Sequence, residues 1–276
     1  MSEPGNPGAS AQGPPQPWRV GAPPFLCARP LTEGLERRHD VALSSDAPRG
    51  LAESLEAGRL DAALVSSIDL QRGGRDWAVL PAGCVAAAGP TVLARIFSRV
   101  PPAEVQVMWV DRACPTAAAL GEIVLAVGHD CRPCIVPFDP AEPWEVEDVQ
   151  AVLLVGDRVV LDPPIGFDWQ WDPAAMWFEI TGLPLVFSVW AAAEAAGAEA
   201  LQGVLAAARA RGCGHLPEIA ARAAEEFGWP ADLALRCLTR ELHFDLTDDH
   251  REGLDEFFGY AADCGLLDTV RPLHYA

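Results

Sequence analysis

The chain predicts a two-lobed α/β fold with a central cleft and a helical C-terminal end, on three observations. Short apolar runs alternate with helix-period stretches in two successive βαβα sets, the pattern of parallel strands joined by crossover helices. The tandem prolines Pro101-Pro102 separate the two sets. A strongly apolar run, Leu183–Trp190, then leads into a series of helices, so the chain passes between the lobes twice.

Residues 1–17 are mostly Pro, Gly, Ser, Ala and Gln with almost no large apolar side chain to offset the entropy of ordering, and they predict a disordered tail. Trp18–Gly21 reads as the first strand, and Ala22-Pro-Pro-Phe-Leu-Cys27 leads as a loop into a helix near Pro30. Val41–Leu43 is a second short strand and Pro48–Ala57 an amphipathic helix. Leu60–Val65 is a short apolar run of buried-strand type, and Ser66-Ser67 stand at its end where a helical pattern begins. Trp77–Leu80, Cys84–Ala88 and Thr91–Phe97 read as strands interrupted by turns at Pro81 and Gly89-Pro90. The second set runs Val105–Val110 as strand, Pro115–Val127 as helix, Pro133–Phe138 as strand, Pro143–Asp148 as a short helix and Ala151–Val155 as strand. Pro173–Thr181 is a helix stopped by Gly182. Behind the returning strand, helices are expected over Ala192–Arg211, His215–Phe227, Pro230–Glu241 and Asp248–Cys264, with small apolar faces suited to packing on a lobe. One lobe then comprises residues 18–99 with 190–276, and the other 100–189.

Acids outnumber Lys and Arg 39 to 20, for a formal charge of −19, and all 20 of those bases are Arg. The absence of Lys excludes a lysine Schiff base, covalent pyridoxal phosphate and a Walker-type phosphate loop. The acidic field repels polyanions, so no nucleic-acid partner is expected. No run approaches the ~18 apolar residues of a membrane span. The N-terminus lacks a basic start followed by an apolar core, which points to the cytoplasm. In that setting the 8 cysteines read as thiols. Cys131-Arg-Pro-Cys134 has no second pair at zinc-ribbon spacing, and Cys213 with His215 offers too few ligands, so no metal is expected. The sequence leaves the oligomeric state open.

Ser66 and Ser67, at a strand's carboxyl edge beside a helix start, are candidates to receive a carboxylate through hydroxyl and backbone N–H groups. Either serves equally well as a plain helix cap. Asp157, following Gly156 at the end of Leu153–Val155, occupies a favoured ligand position of open α/β sheets and is as readily a cap.

The run Met176-Trp-Phe-Glu-Ile-Thr-Gly-Leu-Pro-Leu-Val-Phe-Ser-Val-Trp190 is similar to Trp-x-x-x-Thr-Gly-Leu-Pro-Phe-Val-Phe-Ala-x-Trp of the chorismate dehydratase family of the futalosine route to menaquinone. Gly58–Ile68 with its Val-Ser-Ser-Ile, Gly89-Pro90 followed by Ile96-Phe97-Ser98, Leu153–Asp157 and Glu252–Phe258 resemble further segments of that family. The likeness covers about Trp18 to Leu267. It implies a type II periplasmic-binding-protein-like fold that is not exported, and a cofactor-free elimination. Chorismate loses its ring hydroxyl and a neighbouring ring proton to give 3-[(1-carboxyvinyl)oxy]benzoate, driven by aromatisation. Such chemistry asks for donors positioned on a small anionic substrate more than for a strong nucleophile, and a substrate carboxylate can itself act as base.

By the same resemblance, Ser66 and Ser67 bind a carboxylate from one lobe, and Thr116, at a helix start, binds from the other. The family's Tyr-Leu-Asn-x-x-Pro is here Phe25-Leu-Cys-Ala-Arg-Pro30, so Cys27 replaces a cleft Asn. Cys27 is the candidate catalytic position, read either as a nucleophile or as a small buried thiol. Leu93 stands where a Ser is common, and Ser-x-Thr-Ser has become Cys114-Pro-Thr-Ala117. Arg29 and Arg95 can replace lost anion holders through bidentate pairing, or stand as surface charges. An alternative is therefore a paralogue that binds a small carboxylate in the same cleft without the elimination. The related 1,4-dihydroxy-6-naphthoate synthase matches these segments less well.

Overall fold

A computed structural model describes residues 16–140, 142, 149–193 and 197–276. Nearly all of the expected tail, and the helix expected at Pro143–Asp148, lie outside these residues. The first lobe opens with β1 (Trp18–Ala22), α1 (Arg29–Thr32), β2 (Val41–Ser45), α2 (Pro48–Glu56), β3 (Ala62–Ser66), α3 (Asp69–Arg72) and β4 (Ala78–Ala87). Every residue of β3 is buried, which is why its sequence is an unbroken run of small and apolar residues rather than an alternation. β4 joins what reads in the sequence as two strands. Gly83 carries the chain through φ 148°, where a Cβ would press on Leu31 and Arg209, so the strand bends there instead of ending.

The chain then crosses to the second lobe, built from β5 (Ala94–Ser98), β6 (Val107–Asp111), α4 (Pro115–His129), β7 (Cys134–Phe138), β8 (Ala151–Val155), α5 (Asp157–Leu161), β9 (Trp169–Trp171) and α6 (Pro173–Thr181). It returns through β10 (Leu185–Ala192) to α7 (Ala198–Cys213), α8 (Leu216–Phe227), α9 (Ala231–Arg236), α10 (Asp248–Asp263) and the short β11 (His274–Tyr275). The helix expected from Ala192 is first seen at Ala198, because Ala191 and Ala192 extend β10 along β3.

The first sheet has the order β11-β4-β10-β3-β1-β2 and the second β7-β6-β8-β5-β9. Each has a parallel core, β2-β1-β3 or β7-β6-β8, flanked by an antiparallel strand from the crossing chain. The exchange between lobes falls earlier than the expected divisions at 99/100 and 189/190: β5 already pairs in the second sheet and β10 lies wholly in the first. Gly89-Pro90, which reads as a turn between strands of one lobe, lies in the crossing itself.

One buried carboxylate ties the first crossing to the start of α6. Asp172 Oδ2 accepts the Thr91 N–H at 2.6 Å, while Oδ1 accepts the N–H groups of Ala174 at 2.9 Å and Ala175 at 3.2 Å and so caps α6. Burial raises the Asp172 pKa and these N–H bonds oppose the rise. A continuous apolar cluster, with Trp177 and Trp190 fully buried, runs through both lobes, and a smaller one around Phe97, Phe138 and Val152 covers the other face of the second sheet. Among the described residues no helix is long and apolar enough to cross a membrane.

Candidate functional site

The carboxyl ends of β3 and β8 and the N-terminus of α4 line one cleft between the lobes. The first lobe contributes Leu64 and Ser66 from β3, Val85 from β4, Phe187 and Ser188 from β10, and Phe25 and Cys27 from the loop after β1. The second contributes Leu93, Cys114, Thr116, Ala117, Val155 and Gly156.

Ser66 stands opposite Ser188 in the antiparallel β3–β10 pair, and Ser188 stands opposite Val85 in the β10–β4 pair. Residues in register share a face of the sheet, so the two hydroxyls lie side by side on the cleft wall. Ser66 is 2% exposed, and neither it nor Ser188 has a side-chain hydrogen-bond partner among the described residues. Nothing local in the sequence marks Ser188. It sits inside an apolar strand run, and only the register of β10 against β3 brings it beside Ser66.

Ser67 turns the other way, as alternation along a strand requires. Its Oγ donates to Val186 O at 2.7 Å in a fully buried position, away from the cleft lining. Neither serine caps the following helix. α3 starts at Asp69 behind Ile68, without a side-chain cap.

Thr116 is buried at the second position of the 15-residue α4, and its Oγ1 accepts the Ile68 N–H from the opposite lobe at 3.1 Å. Pro115 occupies the first turn, and the N-cap Cys114 makes no capping hydrogen bond. The positive end of α4 therefore meets the cleft uncapped by its own chain, an arrangement suited to an oxyanion.

Cys27 and Cys114 line the cleft from opposite lobes. Burial, assisted by the charge of Asp157, pushes the Cys27 thiol up to about 12. Burial and then Asp111 push Cys114 well above the ordinary thiol range. Both are S–H groups at neutral pH, so Cys27 is placed as a weak donor and small apolar surface rather than as a thiolate nucleophile.

Asp157 lies next to the cleft but not on its lining. Its Oδ1 accepts the Trp229 Nε1–H at 3.1 Å, tying the second lobe to the loop between α8 and α9. Burial raises the Asp157 pKa, opposed by the Trp229 bond, Arg29 and the Leu26 N–H. Gly156 before it adopts φ 65° and ψ −142°, a conformation nearly confined to glycine, with the Phe25 ring 3.8 Å from where a Cβ would stand.

The two arginines also stand off the cleft. Arg29 pairs with Glu226 at 2.7 Å and lies over the Phe227 ring, while Arg95 donates to Thr91 O at 3.2 Å beside Asp172. Cys131 Sγ donates to Val105 O at 3.1 Å and Cys134 is exposed. No His, Cys, Asp and Glu grouping able to hold a metal occurs among the described residues.

The lining residues thus include no carboxylate, imidazole or guanidinium. What the cleft offers is hydroxyls, a helix N-terminus and apolar walls. In a water-poor site those donors act on an anion more strongly than in water.

Several solved structures are similar to this chain. Protein AF1704 from Archaeoglobus fulgidus matches with a TM-score of 0.72 at 14% identity, covering 90% of this chain and 98% of that one. The periplasmic aliphatic sulphonate binding protein SsuA from Escherichia coli matches at 0.59 and 14% identity, over 93% and 95% of the two chains. The Candida albicans CA3427 gene product, described as having the generic periplasmic binding protein fold, matches at 0.57 and 13% identity, over 93% and 92%. These likenesses establish the two-lobed periplasmic-binding-protein fold expected from the sequence. The family model for menaquinone biosynthesis matches residues 18–263, and the chain belongs to that family.

Proposed function

We propose that this chain is a chorismate dehydratase-like lyase of menaquinone biosynthesis, removing water from chorismate to give 3-[(1-carboxyvinyl)oxy]benzoate. The observation that carries the reading is the cleft itself: Ser66 and Ser188 on one wall and the uncapped start of α4 on the other converge on a space walled by Phe25, Phe187, Leu93 and Val155. That is a setting for the ring and one carboxylate of a small acid. In the elimination one ring C–O bond and a neighbouring C–H bond break, a ring C=C forms, and hydroxide and proton leave together as water. The lining side chains supply no basic group, so the proton goes to a carboxylate of the substrate, and the protein's part is to orient and to exclude bulk water. A fold neighbour named for aliphatic sulphonate binding, another small oxyanion, supports an anion in this kind of cleft.

A second reading is a paralogue that binds a carboxylate without turning it over. It is favoured by the wall formed by Cys27, Leu93, Cys114 and Ala117, where the family resemblance leads one to expect an amide and hydroxyls. Incubation of the purified chain with chorismate, following loss of the diene absorbance and the product mass, separates the two. Product formation supports the lyase, saturable binding without product supports the paralogue, and neither binding nor product removes chorismate from consideration.

A further inference from the structure

The hydroxyls around the cleft are not equivalent. Ser67 is committed to Val186 O, and Thr116 Oγ1 accepts the Ile68 N–H, so both serve the contact between chain segments. Ser66 and Ser188 are in register across β3 and β10, line the cleft together and have no partner among the described residues, although Ser66 is 2% exposed. Ser66 is buried and Ser188 half-buried, and the two hydroxyls share one wall with their hydrogen-bonding capacity left to whatever enters the cleft. Opposite stands the N-terminus of α4, a helix of 15 residues with no side-chain cap.

We infer that Ser188 is a ligand-binding residue of this cleft: its hydroxyl and that of Ser66 hold one carboxylate oxygen of a ring-bearing acid, while the N-terminus of α4 holds the other. This rests on the reading that the cleft receives a small carboxylate, but not on that acid being chorismate. The remaining wall sets the class of ligand. Phe25, Leu93, Val155 and Phe187 offer apolar contact, so the body that follows the carboxylate is a ring with apolar surface to set against them. Ser188 is placed for this by register alone. Its neighbours along β10, Phe187 and Val189, carry no hydrogen-bonding side chain.

The test uses the full chain with two probes of one shape, benzoate and benzamide, titrated at millimolar concentration by NMR against wild type, Ser188→Ala and Ser188→Thr. Wild type is expected to prefer benzoate. Ser188→Ala is expected to weaken benzoate about tenfold, as loss of a hydrogen bond to a charged group does, while changing benzamide less than twofold. Ser188→Thr, which keeps the hydroxyl on a residue suited to a strand, should restore most of the benzoate affinity, and the melting temperature of the free protein should stay the same in all three. Equal weakening of both probes by Ser188→Ala, no change in either, or no benzoate binding by wild type overturns the assignment. Chorismate turnover is scored separately. Benzoate binding through Ser188 without turnover retires the lyase and keeps the site, whereas turnover indifferent to Ser188→Ala does the reverse.

Discussion

The two walls of the cleft are built differently. The first lobe presents side chains from the middle of a sheet: Ser66 and Ser188 stand in one row on β3 and β10, strands whose residues are almost all buried. The second presents backbone, the open start of α4, flanked by Cys114, Ala117 and Leu93. The second wall's hydroxyl, Thr116, is already engaged by Ile68 of the first lobe. The difference teaches a division of labour. The first wall carries the side-chain groups left for a ligand, and the second supplies the helix end and the contact that brings the lobes together.

The sharpest way to break this comparison is to delete a hydroxyl from the first wall. Ser66→Ala is expected to lower kcat/KM for the cleft's substrate by ~10²-fold, the usual consequence of losing a positioned donor. Cys114→Ala, on the second wall, should change it only a few-fold. Equal losses from both, measured by steady-state kinetics, would remove the distinction between the walls. Next in size, Thr116→Val leaves the Ile68 N–H without its acceptor, so chemical denaturation should show a loss of ~2 kcal/mol.

Behind the first wall, burial raises the Asp69 carboxyl from its ordinary 3.8 to about 6, and its Oδ2 has no partner. A raised folded pKa means that the folded chain holds this proton more tightly than the unfolded one. The stabilising contribution is full below pH ~4 and is lost as pH rises through ~6. Asp69→Asn should flatten that part of the stability profile and leave the protein ~1–2 kcal/mol more stable than wild type at neutral pH, read from urea unfolding across pH. The smallest effect is expected at the Asp157–Trp229 contact. Trp229→Phe keeps the ring and loses the N–H donor, so the lobes should part more readily by ~1 kcal/mol, seen as faster ligand release in stopped flow while α4 and the sheet wall stay intact.

The pattern of strands and helices is legible in the sequence wherever one segment determines it. β8 coincides with its apolar run, α6 begins at Pro173 and stops at Gly182, and α4 begins at Pro115. Where distant segments decide, the sequence misleads. β4 continues through Pro81 and Gly83 because β10 pairs along both halves, and the three-residue β9 has no run of its own and exists as the edge partner of β5. The site divides along the same line. Ser66 is signalled by local position and Thr116 and Cys27 by the family resemblance, and all three reach the cleft lining. Ser67 shares the signal of Ser66, yet alternation turns it to Val186 O, and Asp157 sits at a favoured strand end, yet its carboxylate meets Trp229 from the other lobe. Ser188 carries no local signal at all, since its place depends on the register of two strands more than a hundred positions apart in the chain.

The most direct test of this account is a crystal structure of the chain with a ring carboxylate such as benzoate bound. The account predicts the carboxylate between the walls, one oxygen within ~3 Å of Ser66 Oγ and the other within ~3 Å of the backbone N–H groups that open α4, with the ring against Phe25 and Phe187. A carboxylate directed at Arg29 or Arg95, or a ring lodged outside the cleft, would contradict it.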